Sequence, residues 1–187
     1  MPRVSTGDIL REAVQAGSAL GRAAKSVMAK GELVGDDIMI GIVRERLARP
    51  DAAAGFVLDG FPRTVAQAEA LDDNLDGAAP LIVVDIEVPT ETLVSRLSER
   101  RICASCGALA SPGATVCQKC GGPLVQRTDD TADVVRERLR VYERETQPLV
   151  EFYRRRPTFR AVDGDQPPDG VARDIAAAIA AVLGAQR

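Results

Sequence analysis

The sequence predicts an α/β fold with a parallel sheet, and two observations support this prediction. First, the apolar runs "GFVLD" and "PLIVVDIEV" alternate along the chain with segments of helical periodicity. Second, these runs are apolar at successive positions, which is typical of strands covered by helices on both faces. A chain of 187 residues, 45% hydrophobic and 27% charged, is sufficient for one globular unit with a small insertion.

The N-terminal half is predicted to contain two strands and four helices. The stretch "MPRV" is a short strand, and Ser5 and Asp8 have the spacing of a capping box at the start of the first helix. Ser18 is expected to cap a second helix that ends near Gly31, and Asp36 a third helix that ends near residue 49. Strand "GFVLD" and a helix over about 65–71 follow.

The C-terminal half is predicted to begin with strand "PLIVVDIEV" and helix "TETLVSRLSERR". A segment rich in Gly and Cys then covers about 102–125, and a long helix covers about 131–156, with Pro148 expected to kink or break it. Strand "TFRAVD" and helix "GVARDIAAAIAAVLG" close the chain. Arg154, Arg155 and Arg156 are interpreted as a solvated helix face.

All four cysteines lie in one segment, as two Cys-x2-Cys pairs separated by ten residues. The pairs are Cys103 with Cys106 and Cys117 with Cys120, and a glycine follows each pair. Two such turns predict a closed tetrahedral site for a structural Zn²⁺. Disulfides and buried free thiols are the alternatives, and disulfides are disfavoured because the N-terminus has no secretory signal. A nucleic-acid-binding zinc ribbon is disfavoured because its flanks lack aromatic residues.

The charged residues exclude some chemistries and favour another. There is no histidine, which excludes His-based acid–base, nucleophilic and metal chemistry, and the net charge of −3 predicts no general attraction to nucleic acid or anionic lipid. Arginines number 21 against three lysines, as a GC-rich genome or a set of phosphate-binding guanidinium groups would produce. No apolar run is long enough to cross a membrane, so a cytoplasmic location is the default.

The stretch "DGFPR" follows the apolar run that ends at Leu58. Asp59 and Arg63 are therefore expected at the carboxyl edge of the sheet, where an aspartate can hold Mg²⁺ through water and an arginine can grip phosphate. A plain turn with a surface ion pair is the alternative. Further arginines stand at comparable places: Arg11, Arg96, Arg100, Arg101, Arg127, Arg136 and Arg138. Phosphoryl transfer requires such an array, because its catalysis is mostly positioning and neutralisation of charge.

Six segments, in order along nearly the whole chain, resemble bacterial adenylate kinases of the zinc-lid type. They are "STGDILREAV", "GELV", "DGFPRTVAQAEAL", "RRICASCGA…CQKCGGPLVQRTDD", "VRERLRVYERETQPLVEFY" and "VDGDQ". The resemblance implies a P-loop NTPase-like parallel sheet with flanking helices, a helical AMP-binding segment over about 5–34 and a zinc-ribbon lid over 101–127. Residues 1–100 and 128–187 would form the core. It also implies reversible conversion of ATP and AMP, with Mg²⁺, into two ADP.

The same resemblance implies roles for individual residues. The AMP-binding set would be Thr6, Arg11, Glu32, Leu33, Val34, Gly60, Phe61, Pro62, Arg63, Gln67, Arg127 and Arg138. The ATP-binding set would be Arg96, Arg100, Leu109, Ala110 and Gln166. Asp59 would orient Mg²⁺-bound water, and the catalytic set would be Asp59, Arg63, Arg100, Arg127 and Arg138. Gln67 would read the adenine, and Gln166 would contact the ATP base through its backbone.

The sequence departs from the family pattern in two places. Leu109 and Ala110 stand where polar lid contacts to ATP are usual. No lysine follows a glycine anywhere in the chain, so the G-x-x-x-x-G-K-[ST] loop that cradles phosphate is absent from these 187 residues. We expect an N-terminal truncation that removes a central strand and this loop, and hence low or no activity.

Three other readings compete with an adenylate kinase. A non-catalytic relative would keep the AMP pocket without the donor site, and a zinc-ribbon interaction module would use the α/β unit as a scaffold. A kinase for UMP or CMP is disfavoured, because Thr6 and Gln67 fit AMP better. The expected partners are ATP, AMP and ADP, without nucleic acid or membrane, and the chain is expected to be a monomer.

Overall fold

The computed structural model describes residues 1–75, 81–127 and 129–185. The six strands are β1 Arg3–Ser5, β2 Val57–Asp59, β3 Val83–Glu87, β4 Arg101–Cys103, β5 Leu124–Gln126 and β6 Phe159–Asp163. The eight α-helices in these ranges are α1 Thr6–Gln15, α2 Ala19–Lys30, α3 Asp36–Leu47, α4 Val65–Leu75, α5 Thr90–Glu99, α6 Ala132–Val141, α7 Gln147–Arg154 and α8 Pro168–Gly184. No helix within the described ranges has the length and apolar character needed to cross a membrane.

The strands of the main body pair in parallel, which confirms the predicted α/β class. Strand β1 pairs with β2, with Val4 opposite Leu58, and β3 pairs with β6, with Asp85 opposite Ala161. Strands β4 and β5 form an antiparallel pair at the base of the insertion (residues 101–127). Within the described part of the chain, β1–β2 and β3–β6 form two separate parallel pairs.

A cavity of about 600 Å³ lies between the two parallel pairs. Its walls include Gly60 and Pro62 beyond β2, and residues 85–88 on and after β3. Apolar side chains on these strands are poorly covered: Val57 is 52% exposed and Ile86 48% exposed. The expectation of a missing central strand places it between β2 and β3, and this remains a prediction.

Local capping signals predicted the second helix well and the first and third less well. Ser18 precedes α2 and its hydroxyl accepts a hydrogen bond from the Gly21 N–H, while Gly31 ends the helix. Ser5 precedes α1 as expected, but its side chain makes no capping hydrogen bond. Asp36 does not cap α3: Gly35 occupies the capping position and Asp36 is the first helical residue. The reason is that its carboxylate is hydrogen-bonded to Thr64 and Gln67.

The predicted long helix is three segments. Helix α6 ends at Val141, a π-helix covers Tyr142–Thr146, and α7 begins at Gln147. Pro148 therefore lies in the first turn of α7, where its missing N–H is tolerated, and the irregularity precedes it. The π-helical turn brings the Thr146 hydroxyl to 2.9 Å from the Arg63 carbonyl oxygen, to which it donates.

Among the described residues, two clusters of apolar side chains pack together in the core. One joins α1, α2 and α3 to the start of α4 and contains Leu10, Ala24, Val34, Met39, Val43, Phe61 and Leu71. The other joins α4 to α7 through Ala68, Leu149 and Tyr153. The expectation of a solvated face at 154–156 is wrong for Arg156, which pairs with Asp72 and lies 4.6 Å from the Tyr153 ring centroid. Packing between α4 and α7 brings these partners together.

Candidate active site

One cleft collects most of the residues predicted to bind AMP. We call it the arginine cleft. Its lining includes ten of them, namely Thr6, Arg11, Glu32, Leu33, Val34, Gly60, Arg63, Gln67, Arg127 and Arg138. They come from α1, the segment after α2, the loop after β2, the end of the insertion, and α6. Residues far apart in sequence therefore meet at the carboxyl end of β2, where a parallel sheet usually binds its ligand.

The loop after β2 is fixed by short contacts around Gly60. The Thr6 hydroxyl donates to the Gly60 carbonyl at 2.9 Å, and Arg63 Nε donates to the same oxygen at 3.0 Å. Gly60 has φ of 76°, and a Cβ on it would lie 3.1 Å from an Arg63 guanidinium nitrogen. A side chain at this position would strain the backbone and displace Arg63, so the turn requires glycine.

Four guanidinium groups and two carboxylates line the arginine cleft, so its charge is positive. Burial lowers the pKa of Arg63, and the nearby charges of Arg138 and Arg11 lower it further, against an opposing effect of Asp59. Burial also lowers the pKa of Arg127, although Asp129 opposes this. Guanidinium groups stay charged in proteins, so these shifts indicate several positive charges close together in a partly desolvated cleft. Such a cleft would favour the binding of an anion.

Two aspartates hold the arginines, and the sequence reading missed both. Arg127 pairs with Asp129 at 3.2 Å. The Asp130 side chain is fully buried and accepts two hydrogen bonds from Arg100, at 2.7 Å from Nε and 2.5 Å from a terminal nitrogen. Arg138 lies 3.5 Å from the same carboxylate. The signal was present, because this acidic pair follows Arg127 within three residues.

Three predicted residues around "DGFPR" lie outside the arginine cleft lining. Phe61 is only 6% exposed and packs in the core beside α3. Pro62 lines the 600 Å³ cavity instead. Asp59 ends β2 with its side chain 55% exposed, 3.8 Å from Arg3. Phe61 therefore anchors the loop in the core, and Asp59 offers an exposed carboxylate at the strand end.

The residues predicted to contact ATP are at three places. Arg96 donates to the Gly164 carbonyl at 2.8 Å and to Asp165 at 3.1 Å, which ties α5 to the loop after β6. Gln166 lies in that loop and its side-chain amide donates to Asp174. Arg100 is at the base of the insertion with Asp130. Leu109 and Ala110 are within the insertion, and Leu109 is 69% exposed. The structure thus brings Arg96 and Gln166 together, and none of the five lines either cavity.

The base of the insertion is closed by hydrogen bonds between the segments that enter and leave it. Besides the Arg100–Asp130 pair, the Gln126 side-chain amide donates to the carbonyl oxygens of Ser98 at 2.8 Å and Asp130 at 3.1 Å. The two ends of the insertion are therefore held side by side.

The four cysteine sulfurs at the tip of the insertion lie within 4.8 Å of one another. Sγ of Cys103 is 3.4 Å from that of Cys120, and Sγ of Cys106 is 3.6 Å from that of Cys117. The glycine after each pair adopts a positive φ, 69° at Gly107 and 72° at Gly121. The Gly107 N–H donates to the Cys103 carbonyl, closing the first turn. Four sulfurs gathered in this way can hold one metal ion.

The pKa values of these thiols indicate a site that a bound cation would stabilise. Although burial opposes it, backbone N–H groups of Cys106 and Ser105 lower the pKa of Cys103 to about 6. For Cys120 the N–H of Gly122 lowers the pKa, but the sulfurs of Cys106 and Cys103 outweigh it and raise the pKa to about 12. The first thiolate forms readily and the last does not, because like charges would be adjacent. A divalent cation would remove that repulsion.

Comparison with known proteins agrees with this arrangement. The sequence model of the family described as "Adenylate kinase" matches residues 1–158. The chain is 50% identical to the adenylate kinase of Archaeoglobus fulgidus over 185 residues, which are 95% of this chain and 85% of that protein. It is 50% identical to the adenylate kinase of Desulfitobacterium hafniense over 188 residues, 94% and 84% of the two chains. With that of Methanocella arvoryzae it shares 48% identity over 187 residues, 96% and 87%. The chain belongs to the adenylate kinase family.

Proposed function

We propose that this nucleoside monophosphate kinase transfers a phosphoryl group reversibly between ATP and AMP, giving two ADP. Membership of the family establishes a phosphotransferase. The observation that supports AMP as acceptor is the arginine cleft, where four guanidinium groups face a space that also contains Gln67. A nucleoside monophosphate has the matching chemistry, with a dianion at one end and a base with hydrogen-bonding edges at the other.

In this proposal the arginines position and neutralise the phosphates. Arg63 and Arg11 grip the acceptor phosphate, while Arg127 and Arg138 lie between acceptor and donor. Asp129 and Asp130 hold Arg127 and Arg138 at the cleft before nucleotide binds, and Asp130 holds Arg100 at the base of the insertion. Preorganised charge of this kind stabilises the migrating phosphoryl group without further rearrangement. Arg96, Arg100 and the Gln166 loop would contact ATP, with Leu109 and Ala110 covering it.

Mg²⁺ accompanies ATP in this family, and Asp59 is suited to hold it through water. Its carboxylate is exposed at the end of β2, beside the loop that carries Arg63. Mg²⁺ in nucleotide enzymes usually keeps several waters and takes its other ligands from phosphates, so a single exposed carboxylate at the strand end is a sufficient protein contribution. Bound there, the ion would supply charge neutralisation for the transferred phosphoryl group.

We propose Zn²⁺ as the metal of the cysteine cluster and predict about one zinc per chain. The reason is the all-thiolate ligand set, which suits zinc better than magnesium or calcium. Metal analysis of protein purified without added metal, with titration of thiols before and after denaturation, measures this. In the Cys106→Ser variant bound zinc should fall markedly. A folded chain without metal and with four freely titratable thiols would refute the proposal.

The choice of AMP is tested by titration calorimetry of the chain with AMP and with UMP. We expect AMP to bind at least about tenfold more tightly, because the site offers a hydrogen-bonding amide to the base and UMP presents a different edge. Equal affinities would mean that the cleft reads only phosphate. A preference for UMP would reverse the assignment of the acceptor. A monomeric state and a cytoplasmic location remain predictions.

A further inference from the structure

We propose that Asp36 determines the base selectivity of the arginine cleft by fixing the orientation of the Gln67 carboxamide. The inference rests on the proposed function, in that it takes a nucleoside monophosphate as the ligand of this cleft. Asp36 itself is absent from the cleft lining, and it acts through Gln67, which is part of it. It is a positioning residue, and its proposed effect is on which base is accepted.

The Gln67 side chain is 2% exposed, and both ends of its amide are already hydrogen-bonded. Its Oε1 accepts from the Arg63 backbone N–H at 2.8 Å, and its Nε2 donates to Asp36 Oδ1 at 2.7 Å. A backbone N–H can only donate and a carboxylate can only accept. Both partners therefore require the same orientation of the amide, and a half-turn would break both contacts.

Asp36 is itself held in place from a second direction. The Thr64 hydroxyl donates to its Oδ2 at 3.0 Å and accepts from the Gln67 backbone N–H at 3.2 Å, at the start of α4. The three side chains of Asp36, Thr64 and Gln67 thus form a closed network between α3 and α4. A closed polar network with its partners satisfied holds a single arrangement more firmly than separate contacts would.

A fixed amide presents its remaining N–H and its remaining oxygen lone pair in one spatial order. Adenine offers an amino donor at position 6 beside an acceptor nitrogen at position 1. Hypoxanthine offers a carbonyl acceptor and an N–H donor at the same two positions, which is the opposite order. Rotation of the base about its glycosidic bond would not compensate, because it carries this edge of the base away from Gln67 and does not exchange the two positions. The amide therefore matches one of the two bases and leaves unpaired polar groups against the other.

The test is calorimetric titration of AMP and inosine monophosphate (IMP), which share the ribose phosphate, into the unsubstituted chain and two variants. Asp36→Ala removes the acceptor that requires Nε2, which Asp36→Asn would retain in its amide oxygen, and Asp37→Ala is the matched control. Asp37 is exposed in the same first turn of α3, so Asp37→Ala removes the same charge at the same helix end. We expect Asp36→Ala to lower the preference for AMP over IMP by about tenfold or more, and Asp37→Ala to preserve it.

An unchanged AMP-to-IMP ratio in a folded Asp36→Ala variant would overturn the inference. Equal binding of both ligands by the unsubstituted chain would also overturn it, while leaving nucleotide binding intact. If neither ligand binds, the proposed function fails, and a second measurement then decides the orientation. This measurement is proton exchange of the Gln67 side-chain amide by NMR, with the signal assigned by Gln67→Leu. The same measurement decides the orientation if Asp36→Ala does not fold. We expect slow exchange compared with exposed Gln15, and equal rates would refute a fixed amide.

Discussion

The 187-residue chain is expected to convert ATP and AMP to ADP several orders of magnitude more slowly than a form extended upstream by a strand and a G-x-x-x-x-G-K-[ST] loop. The chain contains no Gly-Lys pair. A loop of backbone amides at a helix start fixes the donor phosphates in line with the acceptor. The arginines found here neutralise charge, but they are long side chains held by Asp129 and Asp130 and form no such cradle. Orientation and preorganised electrostatics carry most of this chemistry, so their loss is costly.

A coupled ADP assay on both forms, purified identically, measures this difference. The extended form should also melt at a higher temperature, because a strand in the 600 Å³ cavity would cover Ile86 and pair the free strand edges. The Asp59→Asn variant of the extended form serves as a control for Mg²⁺-dependent turnover. Equal rates for the short and extended forms would show that the arginine cleft alone suffices.

Replacing Arg63 by alanine is expected to weaken AMP binding by about 2–4 kcal/mol, the scale for loss of a charge-assisted bidentate contact in a partly desolvated site. The backbone of Arg63 is pinned on both sides, since its N–H donates to Gln67 at 2.8 Å and its carbonyl accepts from Thr146 at 2.9 Å. Its guanidinium group is directed by Gly60 and its charge is crowded by Arg138. The Arg63 side chain therefore loses little conformational freedom when it binds a phosphate.

Arg155→Ala is the matched control, because Arg155 is exposed at the end of α7 and the same charge is removed. It should change AMP affinity very little. Titration calorimetry on both variants, with melting curves to show that each is folded, provides the comparison. Equal losses of affinity would mean that net charge, and not the arginine cleft, attracts the nucleotide.

Signals confined to neighbouring residues predicted structure well. Ser18 and Gly31 bounded α2 correctly because capping depends on only a few adjacent backbone groups. Asp36 was assigned wrongly as a cap because its partners, Thr64 and Gln67, lie 28 and 31 residues away. Arg156 was taken as solvated for the same reason, since Asp72 is 84 residues distant. Local patterns do not reveal which acidic group a folded chain will bring to an arginine.

In the candidate site, too, the identities of residues were predicted better than the long-range contacts that they make. The resemblance identified ten residues that line one cleft, because motifs preserve the identity of contact residues. Phe61 did not line it, because its side chain is buried in the apolar core beside α3. The π-helix before Pro148 could not be inferred, because proline marks an irregularity without fixing its type. The contact of Thr146 with Arg63, which this π-helix makes possible, depends on tertiary packing and could not be inferred either.

The contact between Arg100 and Asp130 closes a loop of the chain before any metal binds. The two residues are 30 positions apart, and Gln126 reinforces the closure. Joining distant points of a flexible chain costs conformational entropy that rises with the logarithm of the length between them. Because the base of the insertion is already closed, the two cysteine pairs are confined near each other. An ion bound by one pair therefore meets the other pair at a higher effective concentration. We therefore expect the ion pair at the base of the insertion to raise the affinity of the cysteine cluster for a metal ion, and its disruption to speed the loss of that ion to a chelator.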